Sequence, residues 1–138
     1  REPGLIFDLW ASVLYPRAAG NAGLFTTAAD IAKFARMMAA RGKGFFKTDR
    51  MVAELFASAA PPGSGLLPRS FGWNKDPAFI PAGLSETETV FHTGSSGQSV
   101  WIDPKSDRFI IVLTNLFGDH GAAGAARYRI ASAIVKAL

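Results

Sequence analysis

The chain has 138 residues, enough for one domain with a real core. Apolar residues make up 49% and charged residues 19%, a globular balance that excludes a disordered chain. Fifteen basic against eleven acidic residues give a net charge of +4 with no run of Lys or Arg, which argues against a nucleic-acid partner, and the lack of cysteine excludes disulfides and thiolate metal sites.

The first 25 residues read as irregular, punctuated by Pro3, Gly4, Pro16, Gly20 and Gly23. Arg1-Glu2-Pro3-Gly4 carries neither a start methionine nor a signal-peptide pattern, so the chain reads as beginning at an interior point of a longer one. A helix follows. Thr27 suits its N-cap, and Asp30 three residues on suits both a capping box and the positive helix end. Ile31, Phe34, Ala35 and Met38 fall at helical spacing on one face, and Arg41-Gly42 gives the stop. A second helix starts near Thr48, with Met51, Val52, Leu55 and Phe56 as its apolar face, and ends before Pro61-Pro62-Gly63.

The chain thus divides into a loop and two helices over 1–60, loops over 61–88, three strands over 89–115 and an Ala-rich helix over 121–137. Phe71-Gly72-Trp73-Asn74 is a further short segment that suits the start of a strand. The strands, near 89–93, 98–103 and 108–115, are joined by short turns and must be antiparallel neighbours. The fold class is α+β, an antiparallel meander flanked by helices. In the last strand, residues 109–113 are apolar at every position, a pattern that wants both faces covered and neighbours on both sides. The closing helix can take one face. Little else is expected to cover the other, and no fourth strand is evident for the outer edge, so further protein is expected to pack there. This run is also far too short to cross a membrane.

The residues with most chemical interest are His92-Thr93-Gly94-Ser95, at the end of the first meander strand. A polar triplet stands where a strand would carry core residues. Gly lets a ligand approach the backbone, Thr offers a hydroxyl, His a titratable ring, and the Ser95 N–H an oxyanion donor. The plainer reading is an ordinary strand end running into the turn residues Gly94-Ser95-Ser96-Gly97. Trp73 and Trp101 are cleft-lining candidates, with packing the stronger expectation. His120 reads as a loop histidine, and Asp103-Pro104 with Asp107 as turn formers. Two histidines without cysteine give no zinc spacing.

Several segments together resemble one family. Gly20-Asn21-Ala22-Gly23-Leu24-Phe25-Thr26-Thr27, continuing through Asp30, Ile31, Ala32 and Phe34, is similar to the G-x-A-G-L-x-S/T-T-x-x-D-L/M-A-x-F stretch of the penicillin-recognising serine hydrolases. These are class C β-lactamases, DD-carboxypeptidases, D-aminopeptidases and related esterases. Phe71-Gly72-Trp73 resembles their G-Y/L-G-W element, residues 91–104 their K/H-T-G strand and W-I-D-P strand, and residues 108–115 the strand that follows. The matches fall in family order over nearly the whole chain.

The resemblance implies the C-terminal portion of a β-lactamase/transpeptidase-like fold and acyl transfer through a serine ester on small esters, D-amino-acid peptides or β-lactams. It implies no cofactor or metal, a small-molecule or peptide substrate, and a periplasmic or secreted setting; the residues themselves leave the compartment open. His92, Thr93 and Gly94 take the substrate-binding positions, and Ser95 the position of an oxyanion-hole N–H. The family's Ser-x-x-Lys and Tyr-x-Asn elements do not occur in this sequence: Ser132 and Lys136 are four apart, and neither Tyr15 nor Tyr128 has Asn two residues on. Nucleophilic catalysis needs a hydroxyl beside a base. The chain alone is therefore expected to be inactive, with those elements on an N-terminal part of the same enzyme or on a complementary chain. The rival reading is a truncated, non-catalytic module that binds a peptide or partner through its open sheet edge. Histidine where the family often has lysine removes a permanent cation, which points away from carboxylate-bearing penicillins and toward esters or D-amino-acid peptides.

Overall fold

The computed structural model describes residues 4–17, 19–115 and 120–138. Helix α2 (Ala28–Ala39) begins where local chemistry places it. The Thr27 hydroxyl accepts a hydrogen bond from the Asp30 N–H at 3.2 Å, and Asp30 in the first turn pairs with Lys33 at 2.8 Å. Its end is fixed by Arg41 at φ 55° and Gly42 at φ 63°. The Gly42 N–H reaches back to the Met37 carbonyl and the Arg41 N–H to that of Met38, both at 2.8 Å, which satisfies carbonyls the helix would leave open. A side chain at position 42 would collide with the Phe46 ring, its Cβ falling 2.0 Å from a ring carbon, so glycine is required there.

Helix α3 (Asp49–Phe56) repeats the capping device with Thr48 and the Met51 N–H. Residues 4–25, expected to be irregular, hold a further helix, α1 (Leu9–Leu14), capped by Asp8. It is short and presents no buried apolar face beyond Ala11, so it has no amphipathic signature to read.

Five strands form one open antiparallel sheet in the order β1 (Arg69–Ser70), β2 (Trp73–Asn74), β3 (Val90–Thr93), β4 (Ser99–Asp103) and β5 (Arg108–Val112). The sheet is wider than the expected meander by the β1–β2 hairpin, which turns at Gly72 with φ 79°. Strand alternation sorts the core into two layers. Val90 and Ile102, with Val100 and Phe109 at their margin, pack against Ala35, Met38 and Ala39 of α2 and Phe56 of α3. Phe91, Trp101, Ile110 and Val112 pack with Ile80, Leu84 and Ala131, the last on helix α4 (His120–Ala137). The expectation that little covers the second face of β5 is corrected: α2, some 70 residues upstream in sequence, lies on it. Both amphipathic partners carry matching apolar stripes, and burial of a Met or Phe side chain between them stabilises by about 1.5–3 kcal/mol. Among the described residues no strand pairs with the outer edge of β5.

The end of the sheet near the β4–β5 turn is closed by buried polar groups. Asp103, 1% exposed, accepts from the Ser85 N–H at 2.9 Å, the Ser106 hydroxyl at 2.7 Å and the Lys105 N–H at 3.0 Å. Lys75, buried beside this region, donates to the Thr87 carbonyl at 2.8 Å, and Arg41 forms an ion pair with Glu88. Burial pushes the Lys75 ammonium below its ordinary value; the nearby Glu88 carboxylate opposes the shift and the Arg41 charge adds to it. No helix among the described residues is long and apolar enough to cross a membrane.

Candidate functional site

Strand β3 carries His92 and Thr93 as its last two residues, paired with Val100 and Ser99 of β4. On the opposite side β2 meets β3 only at Phe91, through Asn74, and among the described residues no strand pairs with His92 or Thr93 there. The edge is therefore unpaired where the polar triplet begins. His92 shares the sheet face of Val90 but is exposed, whereas Val90 is fully buried under α2. Thr93 and Gly94 are half-buried and Ser95 is exposed.

The turn 94–98 is built tightly. The Gly94 N–H donates to the Gln98 carbonyl at 2.7 Å, and the Gly97 N–H to the Gly94 carbonyl at 3.1 Å, with Gly97 at φ 98°. Ser96 Oγ lies 2.8 Å from Gln98 Nε2 and 2.9 Å from its Oε1. Two elements hold the turn from outside. Thr114 Oγ1 donates to the Ser96 carbonyl at 2.8 Å, and the buried Arg127 of α4 donates from Nη1 to the Gln98 carbonyl at 3.3 Å. Burial lowers the Arg127 guanidinium from its ordinary value.

A cleft of about 1430 Å³ opens along this edge. One wall is His92, Thr93, Gly94, Ser95 and Ser96; the other is residues 4–8 and 21–26. That second wall is held in place locally. Asp8 accepts from the Ala11 N–H at 2.8 Å and from Asn21 Nδ2 at 3.2 Å, which ties the α1 entry to the loop before α2. Gly23, at φ 97°, leaves only 3.3 Å between a would-be Cβ and Ile6 Cδ1, so the two segments touch there.

The sequence-nominated residues His92, Thr93, Gly94 and Ser95 thus lie together on one wall of one cleft. The tryptophans do not join them. Trp101 is 2% exposed and donates from Nε1 to the Phe79 carbonyl at 2.9 Å, while Trp73 stacks on Phe34 with ring centres 6.2 Å apart. Ser132 and Lys136 line a separate shallow depression on α4 with Ala82 and Tyr128. His120 is the first residue of α4 rather than part of a loop, and its neighbours Gly118 and Asp119 lie outside the described residues. Asp107 adopts φ 53° in the β4–β5 turn. No cluster of three or more potential metal ligands occurs among the described residues. Sequence reasoning missed the second wall; its one visible signal was the apolar pair Leu24-Phe25, placed in a loop rather than in a helix or strand.

A family model described as Beta-lactamase matches residues 2–134. Among solved structures, the chain is similar to the crystal structure of a beta-lactamase from Mycobacterium bovis, with a TM-score of 0.63 and 28% sequence identity. That match covers 84% of this chain and 46% of the other, so the chain spans less than half the length of that relative. No curated protein matches the chain.

Proposed function

The chain belongs to the beta-lactamase family, and we propose that it supplies the substrate-side wall of a serine hydrolase that works by acyl-enzyme transfer. In this reading a serine Oγ attacks the carbonyl carbon of an ester, a D-amino-acid peptide or a β-lactam. A base takes the serine proton, the alcohol or amine leaves with a proton, and water then hydrolyses the acyl-serine. This chain contributes His92, Thr93 and Gly94 as substrate contacts and the Ser95 N–H as one of two donors to the developing oxyanion. The observation that carries the proposal is the unpaired end of β3 opening on the cleft that these four residues line.

The nucleophile and its base lie on protein beyond this sequence, which contains neither Ser-x-x-Lys nor Tyr-x-Asn. Two surfaces support that division. The outer edge of β5 pairs with no strand among the described residues. Leu9, Trp10, Val13 and Tyr15 around α1 are 71–75% exposed, an apolar surface of the kind that other protein covers.

The test is the reading frame upstream of Arg1 together with a fluorophosphonate probe, which reacts with activated serines. The expected result is a Ser-x-x-Lys followed by Tyr-x-Asn upstream, labelling of the longer product, and no labelling of the present chain alone. The longer enzyme is expected to turn over a short acyl ester faster than a chromogenic cephalosporin, and His92→Lys to raise cephalosporin turnover. Labelling of the 138-residue chain by itself would refute the division of labour. A start codon directly before Arg1 favours the second reading, a non-catalytic module that captures a peptide or partner strand along β5. The specific observation behind that alternative is the same open edge.

A further inference from the structure

Charge is spread unevenly along the chain. Residues 31–75, which hold most of α2 and all of α3, β1 and β2, carry eight basic residues against Asp49 and Glu54. The rest of the chain carries seven basic residues against nine acidic. Part of this excess is matched or hidden: Lys33 pairs with Asp30, Arg41 with Glu88 and Arg50 with Glu54, and Lys75 is buried. Arg36, Lys43, Lys47 and Arg69 are exposed, and no ion pair among the described residues engages them. Asp49 sits in the first turn of α3, at the positive end of that helix.

The same region leaves large apolar side chains in solvent at its loop tips. Phe45 is 69% exposed, Leu66 and Leu67 are 66% each, and Phe71 is 78%. Each tip adjoins a glycine in left-handed backbone: Gly44 at φ 80°, Gly65 at φ 68° and Gly72 at φ 79°. A Cβ added at any of these three glycines would meet no atom within 4 Å, so the tips stand clear of the body. They are nonetheless held. The Phe45 and Phe46 N–H groups donate to the Gly42 carbonyl at 2.9 and 3.1 Å, and Phe46 packs against the α2 layer while Phe45 does not. The Ala59 N–H donates to the Arg69 carbonyl at 2.6 Å, which ties the loop after α3 to β1. Helix α3 joins the two loops and packs on β1, so tips and cations belong to one contiguous part of the molecule.

None of these residues lines the cleft. Arg41 meets Glu88 just before β3, whereas the cleft opens at the other end of that strand, at His92 and Thr93. A partner seated on the basic region leaves the cleft free.

The combination selects the partner. An acidic protein surface would engage the cations and leave the apolar tips in water. A nucleic acid would engage the cations too, but Leu66 and Leu67 offer no ring on which a base can stack. An anionic bilayer takes both groups at once, with cations at the headgroup phosphates and apolar tips in the acyl boundary beneath. We infer that the α2–α3 loop, α3 and the β1–β2 hairpin form a docking face for an anionic lipid bilayer. Lys43, Lys47 and Arg69 sit at headgroup level, and Phe45, Leu66, Leu67 and Phe71 insert. Docking there neither requires nor excludes the hydrolase reading; it places the protein on a membrane surface with its cleft clear of the lipid.

The test is co-sedimentation of the chain with vesicles of phosphatidylcholine mixed with phosphatidylglycerol and, separately, of phosphatidylcholine alone. A paramagnetic label carried by the lipid then locates the contact through broadening of amide NMR signals. Binding is expected to be at least about tenfold tighter to the mixed vesicles and to weaken as salt is raised. Broadening is expected at residues 43–47 and 64–72. The double variant Lys43→Gln, Lys47→Gln should weaken binding to the mixed vesicles about twentyfold, from about fivefold per charge. Leu67→Ser and Phe71→Ser should each weaken it about tenfold. All four side chains are exposed, and unchanged β3 to β5 amides will show that the fold is intact. Equal binding to the two vesicle types, wild-type affinity in the variants, or broadening confined to α1 would overturn the inference. Binding to polyglutamate or to an RNA oligonucleotide but to neither vesicle would overturn it in favour of those partners.

Discussion

The two turns of the meander both carry polar residues, yet they have opposite fates. At the β4–β5 end, Asp103 is 1% exposed and its carboxyl oxygens are met by two backbone N–H groups and one hydroxyl. At the β3–β4 end, His92 and Ser95 are exposed and face a cleft. A buried polar group must find partners inside the protein, and once it has them its role is architectural. A polar strand residue left at an unpaired edge is open to a ligand. The same residue classes are therefore buried and bonded into the fold at one end and exposed on a cleft wall at the other, where the proposed function places substrate contacts.

The largest effect that would break this comparison is at Asp103. Asp103→Ala leaves three donors without their acceptor and is expected to cost about 3 kcal/mol, read as a lowered urea midpoint with unchanged slope. A loss below about 1 kcal/mol would mean that the closed end does not depend on this side chain.

Lys75 sharpens the same comparison through pH. Its folded-state value lies below the ordinary 10.5 because burial favours the neutral amine. Between the lowered value and 10.5 the unfolded chain binds more protons than the folded one, so the contribution of this site to stability rises with pH through that window. Below the window the full cost of the buried cation is present. The stability difference between wild type and Lys75→Met should thus move in favour of wild type from neutrality toward alkaline pH. Paired urea titrations of the two proteins will show it; a constant difference would contradict the burial argument.

The smallest effect belongs to the open end. His92→Ala should change stability by no more than about 0.5 kcal/mol, since the ring is exposed and packs into neither core layer. A loss as large as that of Asp103→Ala would assign His92 to the architecture and count against its proposed role as a substrate contact.

Much of this was readable in advance, and for local reasons. The caps at Thr27 and Thr48 depend on a hydroxyl reaching an N–H three residues on. The strand turns depend on Gly97 and Asp107 taking left-handed backbone conformations. The position of His92-Thr93-Gly94 at a strand end follows from the same turn chemistry. Helix α1 escaped notice because six residues with a mixed face carry no period. The β1–β2 hairpin is two residues per strand, too short for alternation to show.

What the sequence determined by itself was the larger pieces, helices α2 to α4 and strands β3 to β5, with their caps and turns, and the family to which they point. What only the tertiary structure decided was which pieces face each other. Helix α2 lies on the sheet face that seemed uncovered, and residues 4–8 and 21–26 stand across from the strand edge to make a cleft. An apolar stripe records that a face must be buried but not by what, because the hydrophobic effect has magnitude without direction. The pairing is settled only when every stripe in the chain has found a cover.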